Sequence, residues 1–270
     1  MNIVRDRALL LSISWLCLWL SASALLGLLG GSISFDISAM LQLPEWKAPF
    51  GYDSYGRNLL FITLLSSFKS TAFGIFITLL SCLLAVLIGS SVAMGPKHFH
   101  VVLSRILDAF LAFPPLLFAL GWAAVRGPGW GTLIFALLIG SAPGLIRLTF
   151  ARSQEILAQD FILASRSLGA SFARIAFHHV IPAAINLCIV KAPSLFAHAL
   201  IAEATLSFLG IGAPLGQETW GSLLLQGRDY LVEAPHIAAA TGLPLVLMIL
   251  ALQLISERLT LHQLRAKKQP

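Results

Sequence analysis

Four ionisable side chains lie inside or at the ends of long apolar runs, namely Asp108, Lys191, His198 and Glu203. Charge within an apolar span is unfavourable, so each is a candidate functional group by default. Lys191 and His198 are seven residues apart, which places them on one face of a helix. Glu203 lies five residues beyond His198 and is turned off that face. An ammonium and an imidazole on one face could line an aqueous path for a polar solute, with Glu203 at its outer end.

The same residues have a structural interpretation, which the sequence leaves open. Lys191 could extend its amine to the membrane surface, His198 could be a packed histidine, and Glu203 could pair locally or cap a turn. His198 and Glu203 do not share a face, and two ligands are too few for a metal site. We therefore predict no metal ligands, no bound cofactor and no catalytic residues in this chain.

The composition shows which environment these side chains occupy. Of the 270 residues, 57% are hydrophobic and only 11% are charged, whereas soluble domains carry about 25% charged residues. Too few polar side chains remain to cover the surface of a soluble fold. The three cysteines, Cys17, Cys82 and Cys188, all lie in apolar runs and are expected to be packed thiols. The sequence excludes a soluble enzyme, a disordered chain and a disulfide scaffold.

The apolar runs predict an all-α polytopic membrane protein with about six spans, because a spanning helix needs about 20 mostly apolar residues. The run that begins at Leu59 is too long for one perpendicular span, so its first part is expected to be a separate amphipathic lead-in. Pro114 and Pro115 should interrupt the third span. The predicted spans are residues 8–29, 72–94, 106–125, 130–150, 183–206 and 237–256.

The distribution of Lys and Arg predicts the orientation. Twelve of the 18 basic residues fall on the side that holds both termini, and four fall on the other side. By the positive-inside rule, both termini should be cytoplasmic. The basic residues do not form one basic face, which argues against nucleic acid as a partner. Those on the inner side are Arg5, Arg7, Lys97, Arg105, Arg147, Arg152, Arg166, Arg174, Arg258, Arg265, Lys267 and Lys268.

The chain divides into three parts along its length. Residues 1–58 hold the first span and an outer segment, residues 59–258 the core, and residues 259–270 a short basic tail. The start of the first span resembles a signal peptide, but its apolar run is long enough to span, so we expect it to stay uncleaved. A second outer segment, residues 207–236, is large enough to meet an external partner.

Residues 150–182 form a long segment at the predicted inner face. Phe161, Ala164, Ser165 and Leu168 share one helical face, and Gly169 follows where a helix would end. A second helix over residues 172–179 should end before Pro182, which can open the fifth span. We expect both helices to lie parallel to the membrane, either as a surface connector or as a docking element for a soluble partner.

This segment resembles the EAA loop of ABC importer permeases, whose pattern continues with a glycine and a later His-x-x-Pro. Ala164 and Ser165, Gly169, and His179 with Pro182 lie on that frame. Leu163 stands where the family has Glu, which removes a charged contact. The resemblance implies that the loop contacts an ATPase subunit through the residues Phe161, Ala164, Ser165, Leu168, Gly169, Phe172, His179 and Pro182.

Two further segments resemble the peptide/nickel group of these permeases. Residues 50–58, FGYDSYGRN, are similar to its LGTDxxGRD motif and include Asp53, Gly56 and Arg57. Residues 203–212, EATLSFLGIG, followed by Trp220-Gly221, are similar to its second signature. Asp53 could cap the helix that follows, or this motif could contact a binding protein. The chain is identified as resembling the C-type permease subunit of that group.

The resemblance implies a type I ABC importer permease fold with a cytoplasmic coupling helix, in a bacterial cytoplasmic membrane. It implies a second permease subunit, two ATPase subunits and an extracytoplasmic binding protein, with peptides, nickel or metal chelates as substrates. The chain has no G-x-x-x-x-G-K-[ST] phosphate loop, so ATP and Mg²⁺ are expected on the ATPase subunits. The alternatives are a secondary transporter and an export permease that needs no binding protein.

Overall fold

The computed structural model describes residues 7–29, 33–214 and 216–266, and Arg5, Lys267 and Lys268 of the orientation argument lie outside them. Helices account for most of the described residues. In chain order the helices are α1 (Arg7–Leu29), α2 (Leu59–Met94), α3 (Lys97–Ala112), α4 (Pro115–Arg126), α5 (Trp130–Leu157), α6 (Asp160–Ser167), α7 (Phe172–Phe208), α8 (Trp220–Asp229) and α9 (Pro235–Ala266). A short 3₁₀ turn, Ile37–Ala39, precedes α2.

Within the described ranges, five helices are long and apolar enough to cross a membrane: α1, α2, α5, α7 and α9. Helices α3 and α4 meet at an angle of 81° and form a sixth candidate span if they cross together. Pro114 and Pro115 lie at this break. They account for it because a proline lacks the N–H that would continue the helical hydrogen bonds. The predictions of an all-α membrane fold and of a break at these prolines are confirmed.

The predicted lead-in before the second span is wrong as a separate element. Helix α2 runs without interruption from Leu59, and Asn58 caps it by accepting from the backbone N–H groups of Leu60 and Phe61. The serines of this first part, Ser66, Ser67 and Ser70, are all fully buried. Trp19 Nε1 donates to Ser67 Oγ at 2.9 Å, so this face packs inside the bundle rather than on a membrane surface.

The predicted second loop helix, which should have ended before Pro182, is also wrong as a separate element. Helix α7 continues from Phe172 to Phe208. A π-helical turn at Ala176–Val180 lies just before Pro182. This widened turn accommodates a residue that has no N–H and whose ring would crowd the preceding turn of a regular helix. The loop therefore joins directly to a long spanning helix.

Helix α7 lies at the centre of the bundle and contacts α2, α5, α8 and α9. On one side Leu200 packs with Trp19, Trp220 and Met248 in a buried cluster that joins α1, α7, α8 and α9. On another side Ala199 packs in a second buried cluster that joins α7 to α2, α4 and α5. Because these contacts surround α7, a displacement of this helix must involve most of the fold.

Candidate functional site

Lys191 and His198 line one cavity of about 400 Å³, between α7 and α5. Ser194 lies between them on α7, and the cavity wall is completed by side chains of α2, α4 and α5. The predicted common face of Lys191 and His198 is confirmed. The cavity is mainly apolar elsewhere, with walls that include Ile77, Leu137, Leu145 and Leu148.

Within the ranges that the structure describes, some polar groups of this cavity already have hydrogen-bond partners and others have none. Ser194 Oγ donates to Gln253 Oε1 at 3.3 Å, and the hydroxyl of Ser141 lies 2.8 Å from that of Ser81. In the part of the chain that the structure describes, no ion pair or hydrogen bond involves Lys191 or His198. Both side chains are accessible, Lys191 partly and His198 more fully. The cavity thus offers a free ammonium and a free imidazole.

The break between α3 and α4 places the first residue of α4, Pro115, at the same cavity. Gly140 of α5 allows this approach, since a Cβ at that position would lie 3.3 Å from the Cβ of Pro115. The N-terminal end of a helix carries partial positive charge. Broken membrane helices with their ends at a cavity are a common way to place such charge near a solute.

Glu203 does not reach this cavity and is only 1% exposed. Its Oε2 accepts from Ser70 Oγ at 3.1 Å and its Oε1 from Ser207 Oγ at 2.7 Å. Ser70 Oγ in turn accepts from the backbone N–H of Trp220 at 3.1 Å. Glu203 therefore joins α2, α7 and α8, as in the local-pairing interpretation. The burial of Glu203 does not fit the prediction that it lies at the outer end of an aqueous path.

Asp108 also lies away from the cavity. It pairs with Arg147 between α3 and α5, and both side chains are about half exposed. Exposed ion pairs contribute roughly 0–1 kcal/mol, so this pair is a weak link between the two helices. The structure thus brings Lys191 and His198 together and leaves Asp108 and Glu203 at separate places.

A second cavity of about 580 Å³ lies at the loop end of the same α7 face. Its lining includes Phe161, His179, Pro182 and Leu187. Leu187 is four residues before Lys191, so the two cavities follow one another along one side of the helix. The rings of Phe161 and His179 meet edge to face with centroids 5.3 Å apart, which connects α6 to this end of α7.

The predicted short helix and glycine break are present. Helix α6 ends at Ser167, and Gly169 adopts φ +82°, a conformation that side chains rarely adopt. The N–H groups of Leu168 and Ala170 donate to the carbonyls of Ala164 and Ser165, each at 3.0 Å. These bonds satisfy the end of the helix in the manner of a glycine C-cap.

One face of α6 is anchored and the other is open. Ile162 is buried against Ile175 and Val180, a contact that sequence reasoning missed because one residue gives no periodic signal. The exposed apolar side chains of this region are Phe161, Leu163, Leu168 and Phe172. Leu163, at the position where the family has Glu, is also exposed, but it lies on nearly the opposite side of the helix from Phe161 and Leu168. The loop thus presents an apolar face on a firmly seated helix.

The motif residues Asp53, Gly56 and Arg57 form a buried cluster at the opposite end of the bundle. Arg57 Nε donates to Asp53 Oδ2 at 2.6 Å, and Nη1 to Glu218 Oε1 at 2.5 Å. Nη2 donates to Gln226 Oε1 at 3.0 Å. A Cβ at Gly56 would lie 1.8 Å from the carbonyl oxygen of Asp36, and its φ is +70°, so only glycine fits.

The structure corrects one of the two interpretations of this motif, the helix cap. Asn58, not Asp53, caps α2, while Asp53 Oδ1 accepts from the N–H groups of Tyr55 and Arg57 inside its own loop. Arg57 is only 4% exposed, so its guanidinium is not available on the surface. Burial alone lowers the pKa of Arg57, but Glu218 and then Asp53 outweigh this effect, so the pKa lies above its ordinary value.

The partners of Arg57 could not be found from local patterns. Glu218 is 161 residues away in the chain and Gln226 is 169 away. Neither lies on a frame that the sequence analysis singled out. A buried guanidinium needs acceptors that compensate its charge. This requirement indicates that Arg57 has partners, but it does not identify them.

Comparison with known proteins identifies the family of this chain. Residues 85–268 match the family described as binding-protein-dependent transport system inner membrane component. A putative peptide transport system permease of Brucella suis is 36% identical over 224 residues, which cover 83% of this chain and 75% of that protein. The di/tripeptide transport system permease DppC of Pseudomonas aeruginosa is 32% identical over 226 residues, covering 82% and 75%.

Among solved structures, an inward-facing structure of the MetNI methionine ABC transporter is similar in fold. The TM-score is 0.50 with 18% sequence identity, and the match covers 70% of this chain and 92% of that one. At this identity the likeness concerns the fold alone, and it agrees with a type I permease. The chain belongs to the family of binding-protein-dependent transport system inner membrane components, and it is a membrane-embedded permease of the ABC importer class.

Proposed function

We propose that this chain forms half of the translocation path of an ATP-driven peptide importer and that α6 couples the path to an ATPase subunit. The observation that carries the coupling is continuity between α6 and α7. Ile162 and Ile175 are buried in one cluster at the loop end, and α7 then runs on to the cavity that holds Lys191. A force applied to α6 would be passed to the cavity wall as a rigid-body movement.

The exposed face of α6 supports docking to a soluble protein. Phe161, Leu163, Leu168 and Phe172 are between 48% and 88% exposed on one short connection. A short helix with an apolar face suits binding in a groove of a partner. Gly169 and the anchored Ile162 hold that face in one orientation, and His179 and Pro182 lie beside it in the loop-end cavity.

The remaining partners follow from the family. The two cavities along α7 are open on this chain, which supports a second permease subunit as the other half of the path. ATP and Mg²⁺ would bind to two ATPase subunits, and an extracytoplasmic binding protein would deliver the solute. The relatives named above transport peptides by name, which supports peptides over nickel or metal chelates. We place the loop and both termini on the cytoplasmic side of the bacterial cytoplasmic membrane.

Co-purification of the transporter tests the coupling. Phe161→Ser should release the ATPase subunit from the purified complex or uncouple ATP hydrolysis from uptake. Phe99→Ser is the matched control, because Phe99 is also about half exposed and lies outside the loop, in the first turn of α3. Equal ATPase retention and equal uptake in both variants would contradict the docking role of α6.

Transport in vesicles tests the energy source and the direction. Peptide uptake should require ATP and the binding protein, and it should persist when ion gradients are collapsed. A secondary transporter would work on an ion gradient without ATPase chains. Net movement in the opposite direction would identify an export permease.

A further inference from the structure

We propose that the cavity around Lys191 and His198 binds the free carboxylate of the transported peptide. The inference rests on the proposed function, and it names the chemical group by which the path holds its substrate. Lys191 supplies the charge, and His198 and the N-terminal end of α4 supply further attraction for an anion.

The first step is the missing counter-charge of Lys191. An ammonium in a membrane span needs a partner or water, because its burial alone is strongly unfavourable. In the described ranges the spanning helices and the broken pair hold four acidic side chains, and none of them reaches the cavity. Asp108 pairs with Arg147, Glu155 with Arg152, and Glu203 with Ser70 and Ser207, while Glu257 is exposed elsewhere on α9. Among the described residues, no carboxylate lines the cavity. Lys191 therefore has no carboxylate partner among the described residues, and a substrate carboxylate can supply its counter-charge.

The second step is the character of the other groups around the cavity. The imidazole of His198 can donate a hydrogen bond, whereas the single O–H of Ser194 already donates to Gln253 Oε1 and that of Ser141 to the carbonyl of Leu137. Pro115 brings the positive end of α4 to the same space. An imidazole donor beside a cation suits a carboxylate, since charge-assisted hydrogen bonds to a carboxylate are stronger than neutral ones.

The third step is size and selectivity. The cavity volume of about 400 Å³ lies within the range of roughly 300–1,000 Å³ that small-molecule sites occupy. Its other walls are apolar and include Ile77, Leu137 and Leu145, which offer no specific partner to a polar side chain. The terminal carboxylate is common to peptides of every sequence. A path that binds this group can accept varied side chains and still prefer peptides.

The first test measures the electrostatic potential of the cavity in the assembled transporter. His198→Cys would be labelled in membrane vesicles with an anionic and with a cationic methanethiosulfonate reagent, after subtraction of labelling in the parent. The anionic reagent should react roughly tenfold faster, because one nearby cation attracts one reagent and repels the other. Lys191→Gln should abolish that preference, and Lys191→Arg should retain it.

The matched control is Lys69→Gln, which removes another lysine of a spanning helix that does not line the cavity. It should leave the preference for the anionic reagent intact. No labelling at position 198, a faster cationic reagent, or a preference that survives Lys191→Gln would overturn the proposal. The last outcome would assign the potential to the α4 end or to the partner permease.

The second test is ATP-dependent uptake of dialanine and of its C-terminal amide. Lys191→Gln should slow uptake of dialanine about tenfold and leave uptake of the amide at the parent's rate, while Lys191→Arg should restore dialanine uptake. Equal slowing of both peptides would overturn the carboxylate assignment. If the parent takes up neither peptide, the proposed function itself fails, whereas normal uptake without a charge preference at position 198 defeats only this inference.

Discussion

Arg57 and Glu218 are 161 residues apart in the chain and form a short ion pair, with Nη1 and Oε1 separated by 2.5 Å. The pair ties the loop before α2 to the segment between α7 and α8. Asp53 holds the same guanidinium from its own loop. The end of the bundle opposite α6 is therefore closed by one buried cation with two carboxylates.

Arg57→Ala should destabilise the fold strongly. It would leave the buried Asp53 carboxylate without its cation, and breaking a buried pair in this way costs about 3–5 kcal/mol. The expected result is a lower midpoint in thermal unfolding of the detergent-purified chain. Arg228→Ala is the control, since its pair with Asp229 is more than half exposed and its loss should change stability by about 0.5 kcal/mol or less.

The Arg57 ion pair should not weaken as the pH rises through the physiological range. The pKa of Arg57 lies above its ordinary value, so the stabilisation it provides is complete below that ordinary value and is lost only at still higher pH. Stability of the parent measured against pH should therefore show no Arg57-dependent loss in mildly alkaline buffer. A loss of stability in mildly alkaline buffer that is present in the parent and absent in Arg57→Lys would contradict this prediction.

Gly169→Val should impair coupling between ATP hydrolysis and uptake. Gly169 has φ +82°, where an ordinary residue costs about 1–2 kcal/mol and a β-branched residue is a clear outlier. The substitution should move the exposed face of α6 out of position. Gly169→Asn is the control, because Asn tolerates this conformation better. Full uptake by the Val variant would count against a requirement for the glycine break.

Glu203 should act on stability and not on the transport rate. Glu203→Ala leaves the buried hydroxyls of Ser70 and Ser207 without their acceptor, at a cost of about 1–3 kcal/mol. Glu203→Gln keeps an amide oxygen that accepts one of these bonds. Uptake per correctly assembled transporter should equal the parent's in the Gln variant. A reduced rate at normal assembly would restore Glu203 to the translocation path.

Gly144→Leu should block transport without disturbing the fold. Gly144 lines the Lys191 cavity, and a Cβ there meets no heavy atom within 4 Å, so a leucine has room to enter the cavity. Leucine also favours the helix more than glycine by roughly 1 kcal/mol. Uptake should fall to a small fraction of the parent's rate at equal abundance in the membrane. Gly121→Leu, an exposed position on α4, is the control and should transport normally.

The local features of the fold could be predicted from the sequence. Apolar runs define the spans because the bilayer requires about 20 apolar residues for each one. The break at Pro114 and Pro115 and the glycine turn at Gly169 follow from backbone chemistry that acts within a few residues. The common face of Lys191 and His198 follows from helical spacing, which the structure preserves.

Tertiary contacts decided the role of each of these features in the fold. The first part of α2 suggested a separate amphipathic lead-in, but α2 is continuous and its Ser67 is buried in a hydrogen bond with Trp19. Glu203, an acidic residue in an apolar span, was predicted to line the translocation path, but it is buried and accepts hydrogen bonds from Ser70 and Ser207. The sequence by itself determined the spans, the breaks and the family motifs, because these depend on neighbours in the chain. Only the tertiary structure decided which polar groups face a cavity and which close the bundle, because the decisive pairs Arg57–Glu218 and Ser70–Glu203 join residues more than a hundred positions apart.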